Sequence, residues 1–354
     1  MKILELVTGG EPGGAQRHVK ELSQVLVDQG HQVTVAHGGG HWLATHLDSR
    51  IGVHYLTMLG REMHPHRDLS ALQEIVRLIG KLEPEVVHCH SAKAGMLGRW
   101  AAWRSGIPSV YTVHGFVFLD PTRSGLQRWF YRSAERWAAR MGTATIAVAR
   151  QDMVYASRFA TKHQTYYIPN GVKEAPIVQH HTRGPVPRIG FMGRFSREKG
   201  MDWLLPLAVE HPEYQWIIAG DGDNLSLVQQ AASHYPHLQF DGWVDDLDTW
   251  FASIDVLVQP SWKEGLPYTV LDAIARRVPV VATAVGGMPD VLADIDQKLL
   301  VAPGDAKGLY TAIQYALDQS DRLTETGSRY LSENFDFDMQ MNKVVHVLQS
   351  VVSP

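Results

Sequence analysis

Two carboxylates eight positions apart, Glu264 and Asp272, bracket a turn and a helix start in Ser261–Gly287, SWKEGLPYTVLDAIARRVPVVATAVGG. Gly265, Leu266 and Pro267 follow the first acid, and proline suits the first turn of a helix. The unpaired N–H groups at such a terminus attract anions. An acid just outside it and another two turns inside can hold different hydroxyls of a phosphate-bearing ligand. The plainer reading is a strand–loop–helix unit with ordinary surface acids, so neighbouring motifs must decide.

Three other constellations suit the same ligand. Gly9-Gly10-Glu11-Pro12-Gly13-Gly14-Ala15 follows an apolar run and precedes a helical pattern, so its amides can approach a phosphate. It lacks G-x-G-x-x-G spacing, and no acid closes the second strand, which argues against a nicotinamide dinucleotide. A tight turn without a ligand is the alternative. In Phe191–Gly200, FMGRFSREKG, Arg194 offers a planar fork and Lys199 a point charge, the pair that would neutralise a departing diphosphate. Alone, that segment would be a solvated basic turn. Tyr111–Phe116, YTVHGF, sets His114 at a strand end before a glycine, positioned to enter a cleft, although a lone histidine is more often structural. Ile218–Gly222, IAGDG, and Phe240–Val244, FDGWV, are weaker strand-end signals that turns also explain.

The elements that position these residues alternate. Strands are expected at Lys2–Val7, Gln32–Ala36, Val53–Thr57, Glu85–Cys89, Ser109–Val113, Ala144–Val148 and Tyr166–Ile168. Apolar residues at 15, 19, 22, 25 and 26 predict a helix closed by Gly30, and Asp68–Leu82 reads as another. Glu174–Pro187, EAPIVQHHTRGPVP, has no periodic apolar face and reads as a linker. A second series follows at Arg188–Met192, Gln215–Ala219, Leu238–Phe240, Ile254–Gln259, Val278–Ala282 and Lys298–Val301, then a final helical segment, Phe335–Val352. The expectation is α/β: two Rossmann-like doubly wound domains facing a central cleft, 1–172 and 173–334, the last helix (about 335–354) crossing back to the first. A chain of 354 residues suits two domains.

Composition excludes several classes. A net charge of −4 gives no global case for nucleic acid, and no RNA- or DNA-binding motif is present. The single cysteine, Cys89, cannot form an internal disulfide and is expected to be buried. His88 and His90 share one strand face while Cys89 points the other way, so the three do not converge on a metal. There is no signal-peptide pattern and no apolar run of about 18 residues. A cytoplasmic protein is expected, with a peripheral place on the inner membrane face open.

Taken in order from residue 9 to 287, these motifs resemble the retaining GT-B glycosyltransferases of family GT4: the Gly-Gly loop, the strand-end histidine, the G-R-x4-K-G segment, and E-x7-E with Asp at the second acid. The resemblance implies donor-diphosphate binding by Gly13, Gly14, Arg194, Lys199, Leu266 and Pro267, and donor-sugar binding by His114, Glu264 and Gly265, with His114 and Glu264 catalytic. It implies ribose binding by Asp272, base contacts from Gly220, Asp221 and Val244, and acceptor contacts from Arg17, His90 and Phe116. Asp272 is one methylene shorter than the usual Glu, so its helix would have to sit closer. No cofactor or metal is required by this reading, although Asp245-Asp246-Leu247-Asp248 stops short of a strict statement.

A narrower resemblance, in Val87–Gly95, Thr112–Phe118 and Glu135-Arg136, is to bacterial exopolysaccharide, capsule and lipid-linked oligosaccharide glycosyltransferases. It implies a hexose-type sugar moved from a nucleotide diphosphate, with UDP favoured, to a glycan or polyprenyl-diphosphate-linked acceptor. Between Leu97 and Arg140, arginines 99, 104, 123, 128, 132, 136 and 140 interleave with Trp100, Trp103, Trp129, Phe130, Tyr131 and Trp137. That composition suits anionic lipid headgroups. A core-facing helix carrying 129, 130, 133, 134 and 137 competes with it. A sugar-nucleotide epimerase on the same architecture and a non-catalytic sugar-nucleotide binder are the rival functions.

Overall fold

The computed structural model describes residues 1–160, 164–175 and 184–352. Residues 176–183 of the expected linker lie outside that set. Among the described residues, thirteen strands form two wholly parallel sheets. The first holds β1 (Lys2–Val7), β2 (Gln32–His37), β3 (Gly52–Tyr55), β4 (Val86–His90), β5 (Ser109–Val113), β6 (Ala144–Ala147) and β7 (Gln164–Tyr167), in spatial order β3-β2-β1-β4-β5-β6-β7. The second holds β8 (Arg188–Met192), β9 (Gln215–Ala219), β10 (Leu238–Gly242), β11 (Val256–Gln259), β12 (Val280–Thr283) and β13 (Leu300–Val301), in order β10-β9-β8-β11-β12-β13.

Both orders reverse direction once, between β1 and β4 and between β8 and β11. Loops leaving those strands part to opposite sides, which makes a ligand crevice outside their carboxyl ends. Continuous apolar runs explain the burial: Leu4, Leu6, Val7, Val256, Leu257 and Val258 are fully buried, as expected where helices cover both faces.

Boundaries moved where side chains intervened. The expected strand Lys298–Val301 keeps only its last two residues, because the Asp296 carboxylate accepts from Lys298 N at 3.0 Å and caps a 3-10 turn. β12 starts at Val280, two residues late, since Pro279 has no N–H to give the ladder.

Two compact units result: Met1–Leu119, Arg123–Asn170 and Asp338–Pro354 in one, Asp120–Thr122 and Gly171–Phe337 in the other. The last helix, Phe337–Val352, thus returns to the first unit, where Gln29 Nε2 donates to Asn342 Oδ1 at 3.1 Å.

Candidate active site

In the second unit the loops leaving β8 and β11 are tied together at the crevice. Trp262 N donates to Glu198 O at 2.9 Å and Trp203 Nε1 to Pro260 O at 3.0 Å. This fixes Lys199 against Glu264, with Nζ 2.6 and 2.8 Å from its two carboxylate oxygens. Glu264 Oε1 also accepts from Ser261 Oγ at 2.7 Å and from Gln259 Nε2 at 3.3 Å, and only 6% of the residue is exposed. A buried carboxylate is tolerated because a cation and two donors replace its water. Arg194 is exposed on the same loop. The local field is positive: burial pushes the Glu198 carboxyl up, yet Lys263, Lys199 and Arg194 outweigh that and hold it below the usual carboxylate range.

Gly265, Leu266 and Pro267 follow directly. Pro267 is the N-cap of the eight-residue helix Tyr268–Ala275, and Leu266 is buried. The turn is held by Gly286 and Gly287. Gly287 N donates to Gly265 O at 2.6 Å. Gly286 has φ 57, and a Cβ there would strike the carbonyl oxygens of Glu264 and Gly265. The paired glycines of TAVGG therefore set the position of the acid.

Asp272 lies inside that helix, buried, with Oδ1 3.3 Å from Arg276 Nη1, whose Nε reaches Asp248 Oδ1 at 2.7 Å. The expected base-side loops meet one another: Gly220 N donates to Gly242 O at 2.7 Å and Phe195 N to Asp221 O at 2.8 Å, while Val244 is half-buried. They are strand-end loops of a parallel sheet. The acids of Asp245–Asp248 face three partners: Trp243 Nε1 for Asp245, Thr249 N and Oγ1 for Asp246, and Arg276 for Asp248.

In the first unit, Gly13 caps the helix Gly14–Asp28 without any side-chain hydrogen bond, and Arg17 N is the first to reach back, to Gly13 O at 2.9 Å. The amides of Gly14, Ala15 and Gln16 thus have no intrahelical acceptor, which is the anion-binding arrangement of a helix start. Gly10 has a second reason to be glycine. Gly40 O and His37 Nδ1 would each lie 2.7 Å from its Cβ, because the loop packs on Gly38–Gly40 after β2. Arg17 Nε bonds Glu21 Oε1 at 2.9 Å.

The strand ends beside this loop carry a histidine cluster. His88 and His90 point to one face of β4, and Glu5 of β1, in register with His88, meets both. His90 Nε2 lies 2.7 Å from Glu5 Oε2, His88 Nδ1 3.1 Å from Oε1, and His88 Nε2 2.8 Å from Thr112 Oγ1. His114 Nε2 is 3.1 Å from His90 Nδ1, and the His18 and His114 ring centroids lie 5.0 Å apart in an edge-to-face arrangement. Glu5, His88 and His90 are 0% exposed. Burial, then His88 and His18, holds His90 well below 6.5; burial, then His114, does the same for His18. These three buried residues place one donor atom each within 4.8 Å, but those atoms already serve hydrogen bonds.

Two acceptor expectations need correction. His90 is fully buried and spends both ring nitrogens on Glu5 and His114. Phe116 is buried as well, its ring stacked 4.9 Å from Phe118 in an aromatic core with Phe159. Neither side chain is presented to an acceptor.

Sequence reasoning passed over Glu5, His18, Gln259, Ser261 and Ser91. The signal for Glu5 was a single acid inside the apolar run KILELV. Ser91 carries φ 64 at the β4 exit, strained for a residue with a side chain, and its hydroxyl bonds Thr8 Oγ1 at 2.6 Å. That bond ties the loops on either side of the first crevice. Cys89 is buried in the hydrophobic core as expected, its thiol pushed up to about 12 by burial.

The Arg/aromatic region divides. Arg99 is buried, with Nη2 2.7 Å from Glu135 Oε2, so it belongs to the core. On the helix Gly125–Ala138, started by a Ser124–Gln127 capping box, Leu126 is 77% and Trp129 65% exposed, and Phe130 and Trp137 are exposed too. The stripe faces solvent, against the core-facing alternative. No helix among the described residues is long and apolar enough to cross a membrane.

Comparison with known proteins places these features. The model for Glycosyltransferase Family 4 matches residues 12–175 and that for Glycosyl transferases group 1 matches 186–319. The UDP-Gal:alpha-D-GlcNAc-diphosphoundecaprenol alpha-1,3-galactosyltransferase of Escherichia coli is 26% identical over 269 residues, 69% of each chain. Sucrose-phosphate synthase from Thermosynechococcus elongatus superposes with TM-score 0.81 at 19% identity, covering 99% of both chains. Anabaena HepE in complex with UDP-glucose gives 0.77 at 19% identity, covering 99% of this chain and 100% of that one. Two doubly wound sheets with a returning terminal helix are the GT-B fold, and with both halves of the chain matched, this protein belongs to the GT4 glycosyltransferases.

Proposed function

We propose that the protein transfers a hexose-type sugar, with retention, from a UDP-sugar to a hydroxyl of a lipid-linked or polysaccharide saccharide in bacterial surface-glycan synthesis. The observation that carries the reading is the Lys199–Glu264 contact at a sheet's reversal point. A cation for the leaving diphosphate and an acid for sugar hydroxyls sit one hydrogen bond apart, so a bound donor would replace their mutual contact with its own groups. Lys199, Arg194 and the amides at Gly13–Gly14 and at Leu266, beside the helix start that Pro267 shapes, stabilise charge developing on the diphosphate. Glu264 and the Gly265 amide bind the sugar, His114 is a donor-sugar contact, and Asp272 takes the ribose beside Arg276. Gly220, Asp221 and Val244 line the base. Fixed cations and helix termini supply the stabilisation without a metal, and the leaving phosphate accepts the acceptor's proton in a same-face attack.

UDP is supported by the names of the Escherichia coli relative and of the HepE complex. The exposed Leu126, Trp129 and Phe130 with their arginines support peripheral binding to an anionic cytoplasmic leaflet, where a lipid-linked acceptor would be presented. An epimerase would act without acceptor, and the family matches do not favour it. Thermal-shift screening of UDP- and GDP-sugars tests the reading. A donor at a hundred times its Kd adds about 2.7 kcal/mol. Stabilisation by no sugar nucleotide would sink it, and product formed without acceptor would favour the epimerase.

A further inference from the structure

We infer that Glu5 acts through His90 to fix the protonation pattern of His114, making Glu5 and His90 positioning residues for the transfer site. This rests on the reading of His114 as a sugar contact, but its chemistry follows from the hydrogen bonds alone.

An ionised carboxylate only accepts. Glu5 Oε2 lies 2.7 Å from His90 Nε2, so that nitrogen carries the proton and donates. A neutral imidazole has one N–H, which leaves His90 Nδ1 as a lone-pair acceptor. His114 Nε2, 3.1 Å away, must then be the donor. His114 is left with its lone pair on Nδ1, on the other side of its ring. The same acid orders His88: Nδ1–H donates to Oε1, and Nε2 accepts from the Thr112 hydroxyl at 2.8 Å. One buried acid therefore dictates three imidazoles, and β4 carries two of them on one face because its side chains alternate.

The consequence is specific: His114 Nε2 is committed as a donor to His90 Nδ1, which fixes the orientation of the ring. The outer group of such a relay holds tautomer and ring orientation, as the carboxylates behind site histidines do elsewhere. A protonated Glu5 that donates to His90 Nε2 would reverse the chain through His90, turning His114 Nδ1 into an N–H and leaving His88 unchanged.

Nitrogen-15 NMR of the full chain, labelled at histidine and free of nucleotide, reads this directly. His114 is assigned by the signal lost in His114→Gln. The expected pattern is His88 as its Nδ1–H tautomer, His90 and His114 as Nε2–H, and a scalar coupling between His114 Nε2 and His90 Nδ1 across their hydrogen bond. An Nδ1–H form of His90 or His114, or exchange of His114 between both forms, overturns the relay. His90→Leu should lower donor-sugar turnover about 10–100-fold, the usual effect of losing such an orienting partner, with UDP affinity by calorimetry unchanged. Unchanged turnover in a folded His90→Leu chain also overturns it. If the sugar-nucleotide reading is wrong, UDP fails to bind the wild type while the NMR pattern still decides the relay.

Discussion

Lys199→Ala removes the ammonium held 2.6 and 2.8 Å from the oxygens of Glu264. The carboxylate keeps Ser261 Oγ at 2.7 Å and Gln259 Nε2 at 3.3 Å but loses its counter-charge. Breaking a fully buried pair this way costs about 3–5 kcal/mol. The Lys199 side chain is 23% exposed, so water reaches the pair and the loss is nearer 1–3 kcal/mol. A domain of this size shifts by about 2–4 °C per kcal/mol, giving a fall of roughly 2–12 °C. Adding Glu264→Gln removes the stranded charge, so the double variant should regain more than half of that loss. Turnover behaves differently: one lost stabiliser of developing charge costs about 10²–10³ in rate, and the double variant recovers none of it. Scanning calorimetry, which resolves two units that melt separately, and a donor-turnover assay read the two quantities. A double variant no more stable than Lys199→Ala, or near-wild-type turnover in either, refutes the reasoning.

Three further outcomes are expected. His18 and His90 stay neutral in the fold, held well below 6.5 first by burial, whereas the unfolded chain protonates both. Their contribution is intact above about pH 6.5 and lost as pH falls below it, by up to about 1.4 kcal/mol per pH unit for each; urea midpoints between pH 7 and 5 that stay flat would contradict this. Gly286→Ala forces a Cβ onto φ 57 and against the Glu264 carbonyl, costing about 1–2 kcal/mol in backbone strain alone and displacing the acid; wild-type Tm and turnover would refute it. Trp129→Ser with Phe130→Ser should weaken binding to anionic vesicles tenfold or more, each ring contributing on the order of 1–2 kcal/mol, and wild-type binding should weaken with salt; undiminished binding by the variant removes the helix from the interface.

The strands were legible because their apolar runs are short: β1, β5, β8 and β9 begin and end where the residues predict. The basic loop and Glu264 were legible because spacing within one segment encodes them. The histidine relay was not. Glu5 and His88 are 83 residues apart, and only the register of a parallel pair brings them together. Phe116 was assigned to the acceptor by the resemblance alone, and the aromatic core that surrounds it, with Phe118 and Phe159, does not show in the local sequence. The outward turn of Trp129 was ambiguous because a stripe of 129, 130, 133, 134 and 137 fits either a core or an interface. The buried side of that helix carries Glu135 and Ala138 instead.

A crystal structure of the full chain with UDP tests the central claim most directly. The account predicts diphosphate oxygens within hydrogen-bonding distance of Lys199 Nζ and the Arg194 guanidinium, with the Lys199–Glu264 contact loosened. Nucleotide bound elsewhere, with Lys199 still 2.6 Å from Glu264, would contradict it.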